Sequence, residues 1–180
     1  EVVYLERTKD ISSTMLREQR RNIQRIGIIG TGRIANRFVP EAKLVSGVNT
    51  QAVYNPNFES ARQFAEKWEI EPFNNLDDFY AVVDMVYVAS PHETHYEYIK
   101  SALMHDKHVL CEKPLVLQKK QAEEVYALAK ERNRILLEAI KTAYSPGFQK
   151  LLGIACSGMI GNIRNVEACF TKLERKESRE

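Results

Sequence analysis

The chain has 180 residues, 44% of them apolar and 28% charged, with a net charge of +2, enough for one domain with a proper core and part of a second. Basic and acidic residues are interleaved and no apolar run is long enough to cross a bilayer, so neither nucleic acid nor membrane is an expected partner. Three scattered cysteines (Cys111, Cys156 and Cys169) do not make a disulfide framework and, with no signal peptide opening the chain, read as reduced thiols of a cytoplasmic protein.

From Asn22 onward, short apolar runs alternate with helical patterns, as βαβ units require. Ile26–Ile29 is the first expected strand, and Ile34, Phe38 and Ala42 set the face of the helix behind it, which Pro40 kinks or divides. Thr50–Tyr54 is the second strand, and Phe58, Ala61, Phe64, Ala65 and Trp68 form a core stripe on the second helix. A short run near Pro72-Phe73 is the third strand and Met85–Ala89 the fourth, with a helix over Tyr96–Met104. His108–Cys111 is the fifth strand, Gln118–Arg132 a helix and Ile135–Ala139 the sixth strand. A helix near Pro146–Cys156 leads to Asn162–Thr171, whose alternation suits a strand with one solvated face. The expected class is α/β: a doubly wound, mainly parallel Rossmann sheet, followed by the start of a second α+β domain. The boundaries read as a tail over 1–22, a dinucleotide-binding domain over 23–145 and a beginning substrate domain over 146–180.

Gly30-Thr31-Gly32-Arg33-Ile34-Ala35 is a G-x-G-x-x-A directly after a strand and opening a helix. Gly30 permits the tight turn, Gly32 lets a pyrophosphate approach the backbone, and Ala35 allows close helix–strand packing. The N–H groups of Arg33 and Ile34 then face the anion at the positive end of the helix. At the end of the second strand, where an acidic residue selects NAD and an arginine NADP, stands Asn55. Its amide can bond a ribose hydroxyl without repelling a 2′-phosphate, so NAD or NADP fits, with a lean to NAD.

Two further segments stand at strand ends: Ser90-Pro91-His92-Glu93-Thr94-His95 and Glu112-Lys113-Pro114. H-E-x-H lacks the one-turn spacing that lets two histidines share a metal, and no third ligand is evident, so no metal is expected. Lys113 is the candidate for chemistry, since a lysine held at a strand end can exchange a proton with a substrate hydroxyl or carbonyl. From residue type alone a surface Lys-Pro turn, and a His95 that merely caps or packs its helix, remain open.

In this order and spacing, the glycine turn, Ser90–His95 and Glu112-Lys113-Pro114 resemble one oxidoreductase family. It is named after glucose–fructose oxidoreductase, inositol dehydrogenase and the rhizopine-catabolism protein MocA. Glu138-Ala139-Ile140 and Tyr144-Ser145-Pro146 are similar to that family's approach to its second domain, and the likeness runs from Ile23 to Thr171. It implies that Ser90, Pro91, His92 and His95 line the nicotinamide side, that Glu112 touches the nicotinamide ribose, and that Lys113 binds cofactor and acts in catalysis. It further implies hydride transfer to or from a sugar, polyol or polyol phosphate. His92 stands where the family often has Asn, and Ala143 where many members have Arg, so the substrate pocket differs. The family's second domain, which carries further catalytic residues and its usual dimer sheet, would lie outside the chain. The expectation is a piece that binds cofactor and does not turn over substrate alone, from a parent that is a homo-oligomer.

The first residues, Val2 to Thr14, are similar to the R-T-x-G-I-S-T-T signature of glycerol-3-phosphate cytidylyltransferase-like proteins. That likeness assigns Arg7, Ser12, Ser13 and Thr14 to a CTP-like nucleotide and implies a bifunctional cytidylyltransferase and oxidoreductase. The alternative is a non-catalytic dinucleotide sensor or scaffold attached to a nucleotidyltransferase.

Overall fold

The computed structural model describes residues 23–169 and residue 171. The expectations for residues 1–22, including Arg7, Ser12, Ser13 and Thr14, lie outside the described residues. The chain divides between Ala139 and Ile140 into two compact units.

The first unit is built on six strands: β1 (Gln24–Ile29), β2 (Val48–Tyr54), β3 (Glu71–Phe73), β4 (Met85–Val88), β5 (His108–Cys111) and β6 (Leu136–Glu138). They pair in parallel in the order β3-β2-β1-β4-β5-β6, so the order reverses between β1 and β4. Helices α1 (Arg33–Ala42) and α2 (Phe58–Trp68) connect the first three strands. Helices α3 (Leu76–Ala81), α4 (His95–Met104) and α5 (Lys119–Glu131) lead to the last three, with a 3-10 turn over His92–Thr94 before α4.

Alternate residues of the central strands feed two cores, one on each face. Ile26 and Ile28 join Val53, Tyr87 and the buried faces of α1 and α2 (Ala35, Val39, Ala61, Phe64). Ile29, Ala52, Val86 and Val88 join Phe79, Ile99, Leu103, Val125 and Ala129 from α3, α4 and α5. A strand buried on both faces reads as a continuous apolar run, and β1 and β4 are legible for that reason. Helix starts are set by local polar residues: the Asn57 side chain accepts from Ser60 N, and that of Asn75 from Asp77 N and Asp78 N.

Three features differ from expectation. Of the two outcomes expected at Pro40, a kink or a division, division does not occur: helix α1 runs through it to Ala42. A proline removes one N–H, and so near the helix end the cost is a single ladder bond. Helix α3, six residues long, was not foreseen, because so short a segment shows no period. The strand expected over Asn162–Thr171 is absent among the described residues, where 162–169 form no ladder and are exposed. Lone strand backbone has no partner for its N–H and C=O groups, and alternation alone supplies none. The second unit holds α6 (Lys141–Tyr144) and α7 (Pro146–Cys156), the latter capped by Ser145 with Pro146 in its first turn.

Candidate functional site

The glycine turn, Ser90–His95 and Glu112–Pro114 follow β1, β4 and β5, which are neighbours in the sheet. All three therefore leave the same carboxyl edge, beside the point where strand order reverses, which is where open α/β sheets bind ligands.

Gly30 closes β1 with φ +103, and its N–H donates to the Tyr54 carbonyl at 3.0 Å. A Cβ there would come 2.6 Å from the Ala89 carbonyl oxygen, so both backbone angle and space demand glycine. Gly32 differs. Its φ is −71 and a Cβ would meet no protein atom within 4 Å, so what its bareness leaves open is the space over the N-terminus of α1. No side chain caps that terminus and its first turn holds no acidic residue, so the N–H groups of Arg33 and Ile34 face a free anion site with exposed Arg33 alongside. A dinucleotide pyrophosphate fits this cradle.

Asn36 holds the turn from behind. Its Nδ2 donates to the carbonyls of Thr31 and Gly32 at 3.2 and 3.1 Å, while its Oδ1 accepts from Lys67 Nζ and Trp68 Nε1 at 2.9 and 3.1 Å. The amide is thus spent tying α1 and its turn to α2. Asn55 donates from Nδ2 to Thr31 Oγ1 at 2.9 Å and accepts from Asn57 N at 2.9 Å, which fixes its orientation beside the turn. A cavity of about 300 Å3 lined by Thr31, Asn36, Ser60, Gln63, Phe64 and Lys67 opens next to it.

On the other side of the turn, Ser90 is half-buried while Pro91 and His92 are exposed. Thr94 Oγ1 donates to the Pro91 carbonyl at 2.7 Å and lies 2.8 Å from Ser90 Oγ, closing the loop on itself. His95 is fully buried, its Nδ1 2.9 Å from the Pro114 carbonyl and its Nε2 3.0 Å from the Ser90 carbonyl. Its ring is therefore closed off from solvent, and it reaches the site through the two loop carbonyls it lies between. Sequence reasoning marks a histidine at a strand end but carries no sign of which way its ring turns.

Glu112 extends the β5 ladder by donating from its N–H to the Val88 carbonyl at 2.9 Å. Its carboxylate accepts a 2.6 Å hydrogen bond from the buried Tyr87 hydroxyl, whose ring stacks on Phe38 at 3.9 Å. Burial, followed by the Glu112 carboxylate, pushes the Tyr87 phenol well above its ordinary range. Burial does the same to Cys111, so that thiol is inert rather than nucleophilic. Lys113 is exposed and joined to Pro114 by a cis peptide bond. The next peptide is gripped at both ends: its carbonyl (Pro114) faces His95, and its N–H (Leu115) donates to Glu138 Oε1 at 2.9 Å. Tyr87 and Asn36 are supports that residue pattern did not single out, because in sequence they read as strand core and helix surface; Glu138 stood in a stretch with the family resemblance but with no such role given to it.

Among the described residues no group of three His, Cys, Asp or Glu side chains can hold a metal. No described helix is long and apolar enough to cross a membrane.

Residues 24–140 match the family model described as an oxidoreductase family with an NAD-binding Rossmann fold. The scyllo-inositol 2-dehydrogenase (NADP(+)) of Bacillus subtilis is 38% identical over 71% of this chain and 40% of its own length. A dTDP-3,4-didehydro-2,6-dideoxy-alpha-D-glucose 3-reductase of Actinomadura kijaniata is 34% identical over 82% of this chain and 45% of its own. The chain thus spans less than half the length of these curated relatives. A 3-ketoreductase from Actinomadura kijaniata, solved with NADP and TDP-benzene, superposes with a TM-score of 0.70 at 34% identity, over 79% of this chain and 45% of that one. The glycine cradle and the two loops beside it are therefore those of an NAD(P)-binding Rossmann domain, and the chain belongs to the glucose–fructose oxidoreductase, inositol dehydrogenase and MocA oxidoreductase family.

Proposed function

We propose that this chain is the cofactor-binding part of a dehydrogenase or reductase acting on a sugar, polyol or polyol phosphate. The observation that carries the reading is the convergence of the glycine turn, the Ser90 loop and the Glu112–Pro114 segment at one edge of three adjacent strands. The N–H groups of Arg33 and Ile34, opened by Gly30 and Gly32, hold the pyrophosphate. Asn55 meets the adenosine ribose; Ser90, Pro91, His92 and Glu112 orient the nicotinamide half. The dinucleotide, when bound, supplies the carbon that gives or takes hydride. Lys113 exchanges the proton: as a substrate C–H bond gives up hydride, the hydroxyl proton passes to the lysine amine and a carbonyl forms. Reduction runs the same steps backwards.

At the adenosine end the cavity beside Asn55 moves the choice from the NAD that the sequence leaned to toward NADP. No carboxylate stands at position 55 to repel a 2′-phosphate, and Lys67 lines the cavity beside Thr31. The Bacillus subtilis relative is named for NADP(+) and the Actinomadura kijaniata structure holds NADP, which supports the same choice.

Calorimetric titration of the chain with NADPH and NADH tests the binding: saturable binding with NADPH the tighter is expected, and no binding at millimolar cofactor overturns the proposal. Turnover across a panel of polyols and activated sugars, with Lys113→Ala alongside, tests the chemistry. A loss of about 100-fold or more is expected for the variant, and equal rates remove Lys113 from the mechanism. The cytidylyltransferase reading rests on residues 2–14 alone. CTP-dependent pyrophosphate release, abolished by Arg7→Ala, is the result it requires.

A further inference from the structure

The one fully buried histidine at this edge touches no exposed surface, yet it joins the two loops that carry the nicotinamide-side residues. His95 opens α4 with its ring wedged between two carbonyl oxygens, that of Ser90 at 3.0 Å and that of Pro114 at 2.9 Å. The first belongs to the segment after β4, the second to the segment after β5. A ring placed between two acceptors satisfies both only when both nitrogens carry a proton, and otherwise turns a lone pair toward one of them. Such a placement inside a core is costly, and a plain packing role would be filled as well by Leu or Phe.

What the contact holds is specific. Pro114 O and Leu115 N are the two polar atoms of a single peptide unit, the one that begins one residue after Lys113. His95 takes its carbonyl and Glu138 takes its N–H, at 2.9 Å each. With both ends fixed the plane of that peptide cannot rotate, and the backbone segment that carries Lys113 is anchored one residue away. The other ring nitrogen holds the Ser90 carbonyl, whose own side chain lies against Thr94.

We propose that His95 is a positioning residue for the nicotinamide half of the site. Together with Glu138 it sets the peptide that aims Lys113, and through Ser90 it keeps the facing loop in register with that lysine. This rests on the cofactor reading above. It adds that the two loops are locked to each other by a buried ring rather than by the ligand, so the half-site is preformed.

The test separates the two halves of the cofactor. The chain is titrated with NADPH and with 2′-phospho-ADP-ribose, which keeps the adenosine and pyrophosphate and lacks the nicotinamide. Three substitutions are compared: His95→Asn, whose amide nitrogen replaces Nδ1 and reaches Pro114; His95→Gln, whose amide nitrogen replaces Nε2 and reaches Ser90; and Glu138→Ala on the other side of the same peptide. Glu138 is only partly buried, so its variant keeps the test alive if the histidine variants do not fold.

For His95→Gln and Glu138→Ala, NADPH affinity falls by roughly tenfold while 2′-phospho-ADP-ribose is held as before; His95→Asn, which keeps the contact next to Lys113, loses less. A general loss of structure would weaken both probes together. Equal losses for the two probes, or NADPH affinity unchanged in Glu138→Ala and His95→Gln, overturn the inference and leave the cofactor reading standing. Failure of the unaltered chain to bind either probe overturns both.

Discussion

A methyl group added at Gly30 would lie 2.6 Å from the carbonyl oxygen of Ala89, whereas one added at Gly32 would meet no atom within 4 Å. Two glycines one residue apart therefore fail in different ways. Gly30→Ala forces a Cβ into backbone at a φ of +103 and is expected to cost about 2–4 kcal/mol, read from urea unfolding. Gly32→Ala is expected to cost less than about 1 kcal/mol in the same measurement, yet to lower dinucleotide affinity, because the methyl group enters the ligand's space. Equal stability losses would mean that the turn is purely structural. At the ribose end, Asn55→Asp places a negative charge where a 2′-phosphate would sit. NADPH affinity should then fall by about tenfold relative to NADH, about 1.4 kcal/mol. The glycine pattern was legible in residues 30–35 because each glycine answers a backbone requirement. The Asn55 orientation was not, since it depends on Thr31 Oγ1, 24 positions away in the chain.

At the scale of elements, the two cores hold two phenols neutral, one on a helix and one on a strand. Burial pushes Tyr80 of α3 up to about 12, and burial with the Glu112 carboxylate pushes Tyr87 of β4 higher. In the unfolded chain both titrate near 10. Between those values the unfolded state sheds protons that the folded state keeps, so the contribution of these two phenols is intact below about pH 10 and is lost as pH rises toward 12, while that of the buried Cys111 thiol begins to be lost at lower pH. Thermal unfolding followed from pH 8 to 12 checks this; a flat profile above pH 10 would contradict it. Tyr87→Phe removes the hydroxyl that holds Glu112 and is expected to cost about 1–2 kcal/mol. β1, β4 and β5 were legible as short apolar runs between helical periods, β2 as a mixed run ending in Ala52-Val53-Tyr54, and the parallel sheet follows from that alternation. Helix α3 escaped because it spans fewer than two turns, and residues 162–169 misled because alternation describes a strand's faces and not its partner.

For the whole domain, binding and folding are linked. A ligand that engages the turn only in the folded state adds about 2.7 kcal/mol at a hundred times its dissociation constant, so NADPH should raise the melting temperature and adenosine alone should do so far less. The partition of the site was partly visible in sequence: three motifs at the ends of three strands needed only the parallel order to become neighbours. What joins them was hidden, because the His95 contacts, the Tyr87–Glu112 bond and the Glu138 grip on Leu115 link positions 5 to 25 residues apart whose residue types are common anywhere. One of these hidden supports has a practical side. The chain contains a single tryptophan, and the Trp68 indole N–H bonds the same Asn36 amide that holds the carbonyls of Thr31 and Gly32. A change at the glycine turn is therefore two hydrogen bonds from the only indole, and a shift in Trp68 fluorescence on titration with NADPH, without label or substrate, is the expected outcome that checks it.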